Sequence, residues 1–162
     1  MKIIGVIMVF NCGDVILDAL KSLDGRVDEI HCFDSRWVDA PTLHSTDDTK
    51  TVIEEFSRLS KTKAEYHEIS SPTSEGKART ASIENVNEGD WIFVLDSDER
   101  VTDWNDNIRS VLEQTSERGY YMFMDETILS VCRLFRKING MKYHTCNIYA
   151  PDGSILQETY KP

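Results

Sequence analysis

The sequence has no run of basic residues, no CxxC pair, no glycine-rich phosphate loop and no apolar stretch of membrane-spanning length. Each absence removes a class of function. Lys plus Arg number 18 against 28 Asp plus Glu, a net charge of −10. A surface of that sign repels nucleic acid and anionic lipid, so neither is expected as a partner. The four cysteines, Cys12, Cys32, Cys132 and Cys146, are far apart in the chain. Their spacing gives no support to a zinc knuckle or a thioredoxin-like site. Unpaired thiols inside strands behave as small apolar side chains, and a reducing cytoplasm is the expected compartment. Ile3 to Phe10 is too short for a membrane span and contains Gly5. An amphipathic helix follows it, not a small-residue cleavage site, so it reads as a first strand and not as a leader. No internal repeat, low-complexity segment or linker interrupts the 162 residues, which suffice for one domain with a real core.

What the sequence does have is Trp91-Ile92-Phe93-Val94-Leu95 running directly into Asp96-Ser97-Asp98. A continuous apolar run of this length reads as a strand buried on both faces. Its carboxylates then fall at the strand's carboxyl end, where open α/β sheets bind ligands. Paired aspartates there suit a hard divalent cation shared with substrate phosphates. The same residues also end strands and cap helices. Taken alone, the stretch supports a metal site and a structural turn equally.

The rest of the chain alternates strands and helices. Ile3 to Phe10 ends at the polar turn Asn11-Cys12-Gly13-Asp14. A helix with Ile16, Leu20 and Leu23 on one face follows, and then the strand Glu29 to Asp34. A long connection over Ser35 to Thr49 precedes a helix marked by Val52, Ile53, Phe56 and Leu59. Ala64 to Ile69 alternates as a strand near the sheet edge should. A helix is expected over Glu75 to Asn87. Another, capped by Asp103, is expected through Trp104, Ile108, Val111, Leu112 and Thr115, with Gly119 closing it. Tyr120 to Met124 reads as a further strand leading to Asp125-Glu126. Beyond it, Val131 to Arg136 and Met141 to Tyr149 read as a hairpin around Asn139-Gly140, and Ser154 to Thr159 as a last strand. The expected fold is therefore α/β. It is one domain over 1–162, with a mostly parallel sheet over 1–126 and a short antiparallel tail over 127–162. Asn11, Asp34 and Asp96/Asp98 all fall at the carboxyl edge, and together they describe a crevice.

These pieces resemble a family 2 glycosyltransferase with a GT-A fold. IIGVIMVFN resembles that family's first nucleotide-binding element, and DEIHCFDS its base-recognition segment. GKART, an acidic helix and GDWIFVLDSDE resemble the arginine-bearing helix and the DXD motif. RLFRK and the Gly-Met-Lys-Tyr-His stretch resemble the strand pair of smaller members. The resemblance implies a metal-dependent, inverting transfer of one sugar from a nucleotide-sugar donor, UDP-sugar above all, to a hydroxyl on a saccharide, lipid-linked or protein acceptor. It implies that Phe10, Asn11, Asp34, Ser35, Arg79, Asp96 and Ser97 contact the nucleotide. Asp96 and Asp98, with His144, would hold Mn²⁺ or Mg²⁺. Asp125 and Glu126 are the candidates for the base that activates the acceptor.

The turn after strand one reads Asn-Cys-Gly where Asn-Glu is common, and the segment after Asp34 is longer than usual. Ser45-Thr46-Asp47-Asp48-Thr49 resembles the usual connection displaced. The Gln-x-x-Arg-Trp motif of processive synthases is absent. The chain is shorter than most members, which leaves open a truncated form, a minimal enzyme, a subunit of a composite site, or a non-catalytic nucleotide-sugar binding module. A homo-oligomer is also left open. A haloacid-dehalogenase-like phosphatase is the third reading, although its Asp-x-Asp usually follows the first strand. His31 and His67 read as structural or surface residues.

Overall fold

The computed structural model describes residues 1–36, 40–70, 74–123, 130–144 and 147–156. The chain order begins with β1 (Ile3–Val9), α1 (Ile16–Leu23), β2 (Glu29–Asp34), α2 (Thr49–Leu59) and β3 (Lys63–Glu68). It continues with α3 (Glu75–Glu84), β4 (Trp91–Asp96), α4 (Ile108–Gln114), β5 (Gly119–Phe123) and β6 (Ser130–Arg136), and ends with β7 (Lys142–His144) and β8 (Asn147–Tyr149). Six strands form one sheet in the order β3-β2-β1-β4-β6-β5, and β7 and β8 form a separate pair. The first four strands in that order are mutually parallel, whereas β6 runs antiparallel to both β4 and β5.

All seven residues of β1 are buried, as a central strand covered on both faces requires. Its odd residues Ile3, Ile7 and Val9 join one apolar layer with Trp91, Phe93 and Leu95 of β4. Ile16, Leu20 and Leu23 of α1, Ile53 and Phe56 of α2, and Leu112 of α4 complete that layer. The even residues Ile4, Val6 and Met8, with Ile92 and Val94, pack on the other side with Ala78 and Ile83 of α3, Phe135, and Ile148 of β8. Each large side chain buried this way contributes about 1.5–3 kcal/mol. The period-two alternation thus sorts the helices onto two faces.

Several expectations change. Val131 to Arg136 does not pair with the segment after Asn139-Gly140; it enters the main sheet as β6, between β4 and β5. The apolar edge of β4 outcompetes the local turn as its partner, burying Leu134 and Phe135 completely. Met141 to Tyr149 is not one strand but the pair β7 and β8. The helix expected from Trp104 begins only at Ile108, with Asn107 at its N-cap. Trp104 instead lies before it and packs edge-on against Phe93, ring centroids 5.6 Å apart. Gly119 opens β5 and does not close α4. Helix α3 also ends at Glu84, three residues before Asn87. Of the last expected strand, residues 157–159 lie outside the described residues, and Ile155 makes a bridge to Tyr149.

Candidate active site at the carboxyl edge of the sheet

The register sets the tips of three strands level. Val9 of β1 lies opposite Asp34 of β2, and Met8 lies opposite Asp96 of β4. The turn after β1 is then laced to the connection after β2 by side chains. Asn11 adopts φ 46°, a left-handed conformation that Asn tolerates better than most residues. Its backbone N–H donates to Ser45 Oγ at 2.9 Å, and its Oδ1 accepts from the Thr46 N–H at 2.7 Å. The Cys12 N–H donates to Thr49 Oγ1, and the Gly13 N–H to Asp47 Oδ2, both at 2.9 Å. The hydrogen bonds from Thr49 and Gly13 outweigh the desolvation of Asp47 and hold its pKa below the ordinary carboxylate range. Gly13 has no room for a side chain, since a Cβ there would meet Asp48 Oδ1 at 1.8 Å. The Ser45-Thr46-Asp47-Asp48-Thr49 cluster is therefore what closes the unusual Asn-Cys-Gly turn.

Asp34 is completely buried at the tip of β2. Its Oδ2 accepts from the Ser45 N–H at 2.8 Å and from the Tyr66 hydroxyl of β3. Its Oδ1 is buried with no hydrogen-bond partner among the described residues, and the neighbouring Ser35 hydroxyl shares that condition. A buried carboxylate oxygen with an unused lone pair carries a desolvation cost that a ligand N–H would relieve. Burial, and then the hydrogen bond to the Asp34 carboxylate, push the Tyr66 phenol well above its ordinary pKa.

The Asp96-Ser97-Asp98 turn lies beside this laced corner, with Ser97 against the Cys12 thiol. Asp96 is gripped from both sides. Arg79 of α3 reaches Oδ1 at 3.4 Å, and Arg133 of β6 reaches Oδ2 at 3.1 Å. Arg79 is also held by Glu75 at 2.9 Å. Burial lowers the Arg79 pKa, but Glu75 and Asp96 more than reverse this and raise it. Arg133 also binds Glu99 Oε1 at 2.6 Å, and Glu99 Oε2 accepts from the Asp96 N–H at 2.9 Å. Burial raises the Glu99 pKa, against the lowering by that N–H and by Arg133.

Asp98, one turn position further on, is exposed and forms no hydrogen bond or ion pair among the described residues. The donor set thus offers one accessible carboxylate at Asp98 and one neutralised by two guanidinium groups at Asp96. That fits a hard cation bound mainly through substrate phosphates, which requires only one or two protein carboxylates.

Phe10 and Asn11 lie in the turn after β1, and Arg79, Asp96, Ser97 and Asp98 gather at the adjacent turn. His144 is exposed on β7, its ring edge-on to Tyr149. Asp125 and Glu126 lie outside the described residues. Sequence reasoning assigned no role to Arg133 or Tyr143. Arg133 follows from the pairing of Phe93 with Leu134, which carries the next residue to the end of β4. The Tyr143 N–H donates to Thr80 Oγ1 of α3 at 2.9 Å, anchoring the hairpin. Its half-buried ring is close enough to Arg79, Arg133 and Asp96 to feel their charges. An arginine inside an otherwise apolar strand was the available signal for Arg133.

No protein-family model matches the sequence, and no curated protein matches it significantly. Solved structures do match. TarS 1–349 of S. aureus superposes with a TM-score of 0.51 at 20% identity, covering 70% of this chain and 31% of that one. The same fragment in complex with UDP gives 0.52 at 19% identity over the same shares. The fold is that of the GT-A glycosyltransferases. This GT-A-like chain spans about a third of the length of the TarS fragment it matches. At such identities the likeness is one of fold.

Proposed function

We propose that the chain binds a nucleoside-diphosphate sugar at the carboxyl edge of β1, β2 and β4 and transfers the sugar to a hydroxyl acceptor with inversion. The observation that carries this reading is the buried, unpartnered Oδ1 of Asp34 beside the Asp96-Ser97-Asp98 turn. A uracil ring presents an imide N–H flanked by carbonyls. Asp34 Oδ1 would accept from that N–H, and the Ser35 hydroxyl, also buried without a partner among the described residues, would serve a neighbouring carbonyl. Asp34 is buried in the free chain, so what covers it must give way as the base enters. Phe10 and Asn11 border the nucleoside at the adjacent tip.

Asp98 would hold a divalent cation, Mn²⁺ or Mg²⁺, with Asp96 reached directly or through water and His144 the remaining candidate ligand. When bound, that cation supplies Lewis-acid stabilisation of the charge growing on the departing diphosphate. Arg79 and Arg133 hold the Asp96 carboxylate in place, and their own charge favours the diphosphate. The acceptor hydroxyl needs a carboxylate within hydrogen-bond reach, and Asp125 and Glu126 are the candidates.

The test is titration of the purified chain with UDP, GDP and dTDP, with and without Mn²⁺. Metal-dependent UDP binding that weakens in both Asp34→Ala and Asp98→Ala is expected. Absence of nucleotide binding, or binding unchanged in Asp98→Ala, refutes the reading. A second reading is a nucleotide-sugar binding module without its own acceptor site. It predicts binding with neither transfer nor slow donor hydrolysis, and turnover by the purified chain eliminates it.

A further inference from the structure

Away from the strand tips, on the α3 side of the sheet, β2 and β3 bring two histidines and a glutamate together. His31 lies directly opposite Glu65, and Phe33 lies opposite His67. Ile30 and Cys32 point into the layer beneath α1 and α2, so the alternation turns His31 and Phe33 to the other face. His31 Nδ1 and His67 Nε2 are 2.8 Å apart. Glu65 Oε2 is 3.9 Å from the first nitrogen and 3.7 Å from the second. The ring planes differ by 20° and the centroids are 5.0 Å apart. That separation is close to the nitrogen–nitrogen distance plus two ring radii, so the two lone-pair positions meet edge to edge and nearly in plane.

We propose that His31, Glu65 and His67 form a site for a borderline transition-metal ion of the Zn²⁺ type, distinct from the Asp98 cation site. Two imidazole nitrogens and a carboxylate oxygen are the donor set that Zn²⁺ takes in three-residue sites, leaving one position for water. Ligands bonded to tetrahedral zinc lie about 3.3–3.5 Å from one another. Each observed spacing reaches that range by a shift of roughly half an ångström or less.

A second carboxylate is already in place. Glu29 Oε2 lies 3.5 Å from His31 Nε2, the ring nitrogen facing away from the proposed ion. Lys2 holds the other Glu29 oxygen at 2.5 Å. A carboxylate on the far nitrogen orients a metal-bound histidine and raises its basicity. The Phe33 ring walls one side, 4.8 Å from His67. The donor side chains are 22%, 35% and 55% exposed for His31, His67 and Glu65, so an ion can enter. His31 and Phe33 also border a cleft of about 100 Å³ between the sheet and the end of α3, lined further by Glu29 and Asn85. Mg²⁺, which prefers oxygen ligands, is poorly served by this set.

The experiment is calorimetric titration of the chelator-stripped chain with ZnCl₂, in excess Mg²⁺ and without nucleotide, in parallel with CoCl₂ followed by visible absorption. One Zn²⁺ per chain is expected, with the intense ligand-field bands of four-coordinate Co²⁺. His31→Gln and His67→Gln should each abolish the bands, with far-UV circular dichroism confirming that they fold. Glu29→Gln should weaken Zn²⁺ about 10- to 100-fold. Asp98→Ala, at the other site, should bind Zn²⁺ as the unaltered chain does. No Zn²⁺ binding, binding unchanged in both histidine variants, or binding lost in Asp98→Ala overturns the proposal. None of these outcomes bears on whether UDP binds.

Discussion

Replacing Arg133 by Met keeps the length of the side chain and removes its charge. Arg133 is 10% exposed and contacts Asp96 at 3.1 Å and Glu99 at 2.6 Å. Removing one partner of a buried ion pair costs about 3–5 kcal/mol, because the other charge stays behind. Glu99 is 17% exposed and meets that condition, whereas Asp96 at 35% is partly screened by water and counts for less. The loss expected at pH 7 is therefore about 2–4 kcal/mol. For a chain of this size that lowers Tm by roughly 5–15 °C.

The pH dependence separates this cause from lost packing. The folded-state pKa of Glu99 lies above its ordinary value, so folding favours its protonated form. Its contribution is complete below about pH 4.3 and declines as pH rises through the folded pKa. Without Arg133 one of the influences lowering that pKa is gone, and the decline steepens. Urea unfolding of both proteins should show a larger difference at pH 7 than at pH 4. An equal difference at both, or one below about 0.5 kcal/mol at pH 7, refutes the account.

Other outcomes follow from the same geometry. Asp34→Asn removes the anionic acceptor from the base site and should weaken UDP by about tenfold, from the 1.5–3 kcal/mol of a charge-assisted hydrogen bond less the amide oxygen's remainder; equal affinity by calorimetry contradicts it. Gly13→Ala drives a Cβ into Asp48 and close to the Thr49 backbone, and should cost about 1–3 kcal/mol in urea unfolding. Because the Tyr66 pKa is raised in the folded chain, stability should be intact below about pH 10 and fall as the pH climbs toward the folded value. Tyr66→Phe should flatten part of that alkaline decline in thermal unfolding.

Trp91 to Asp96 and Ile3 to Val9 were legible because both are short apolar runs ending in turn residues, and a central strand leaves that mark wherever it pairs. Helix α1 was legible from Ile16, Leu20 and Leu23 alone. The placement of β6 was not. Asn139-Gly140 is a true local turn signal, but the gain from covering Ile92 and Phe93 of β4 is non-local and exceeds it. Arg133 was passed over for the same reason: its role depends on which strand its own strand joins. The His31–His67 contact depends on register between strands joined through a long connection and a helix, and no spacing in the sequence encodes it. Asp34 was selected from its position at a strand end. Its buried, half-used carboxylate emerged only from the loop that folds over it.

The insertion of β6 between β4 and β5 has a consequence for the order of assembly. As the chain leaves the ribosome, β1 to β4 can zip together early, since each finds a neighbour already made. The outer flank of β4 then stays open, showing Ile92 and Val94 and a row of unpaired amides, until Leu134 and Phe135 have been synthesised. For that interval the nascent protein presents a sticky border, and Arg133 arrives last to neutralise Asp96. Released fragments ending before Ser130 and after Arg136 should accordingly differ sharply in chaperone capture.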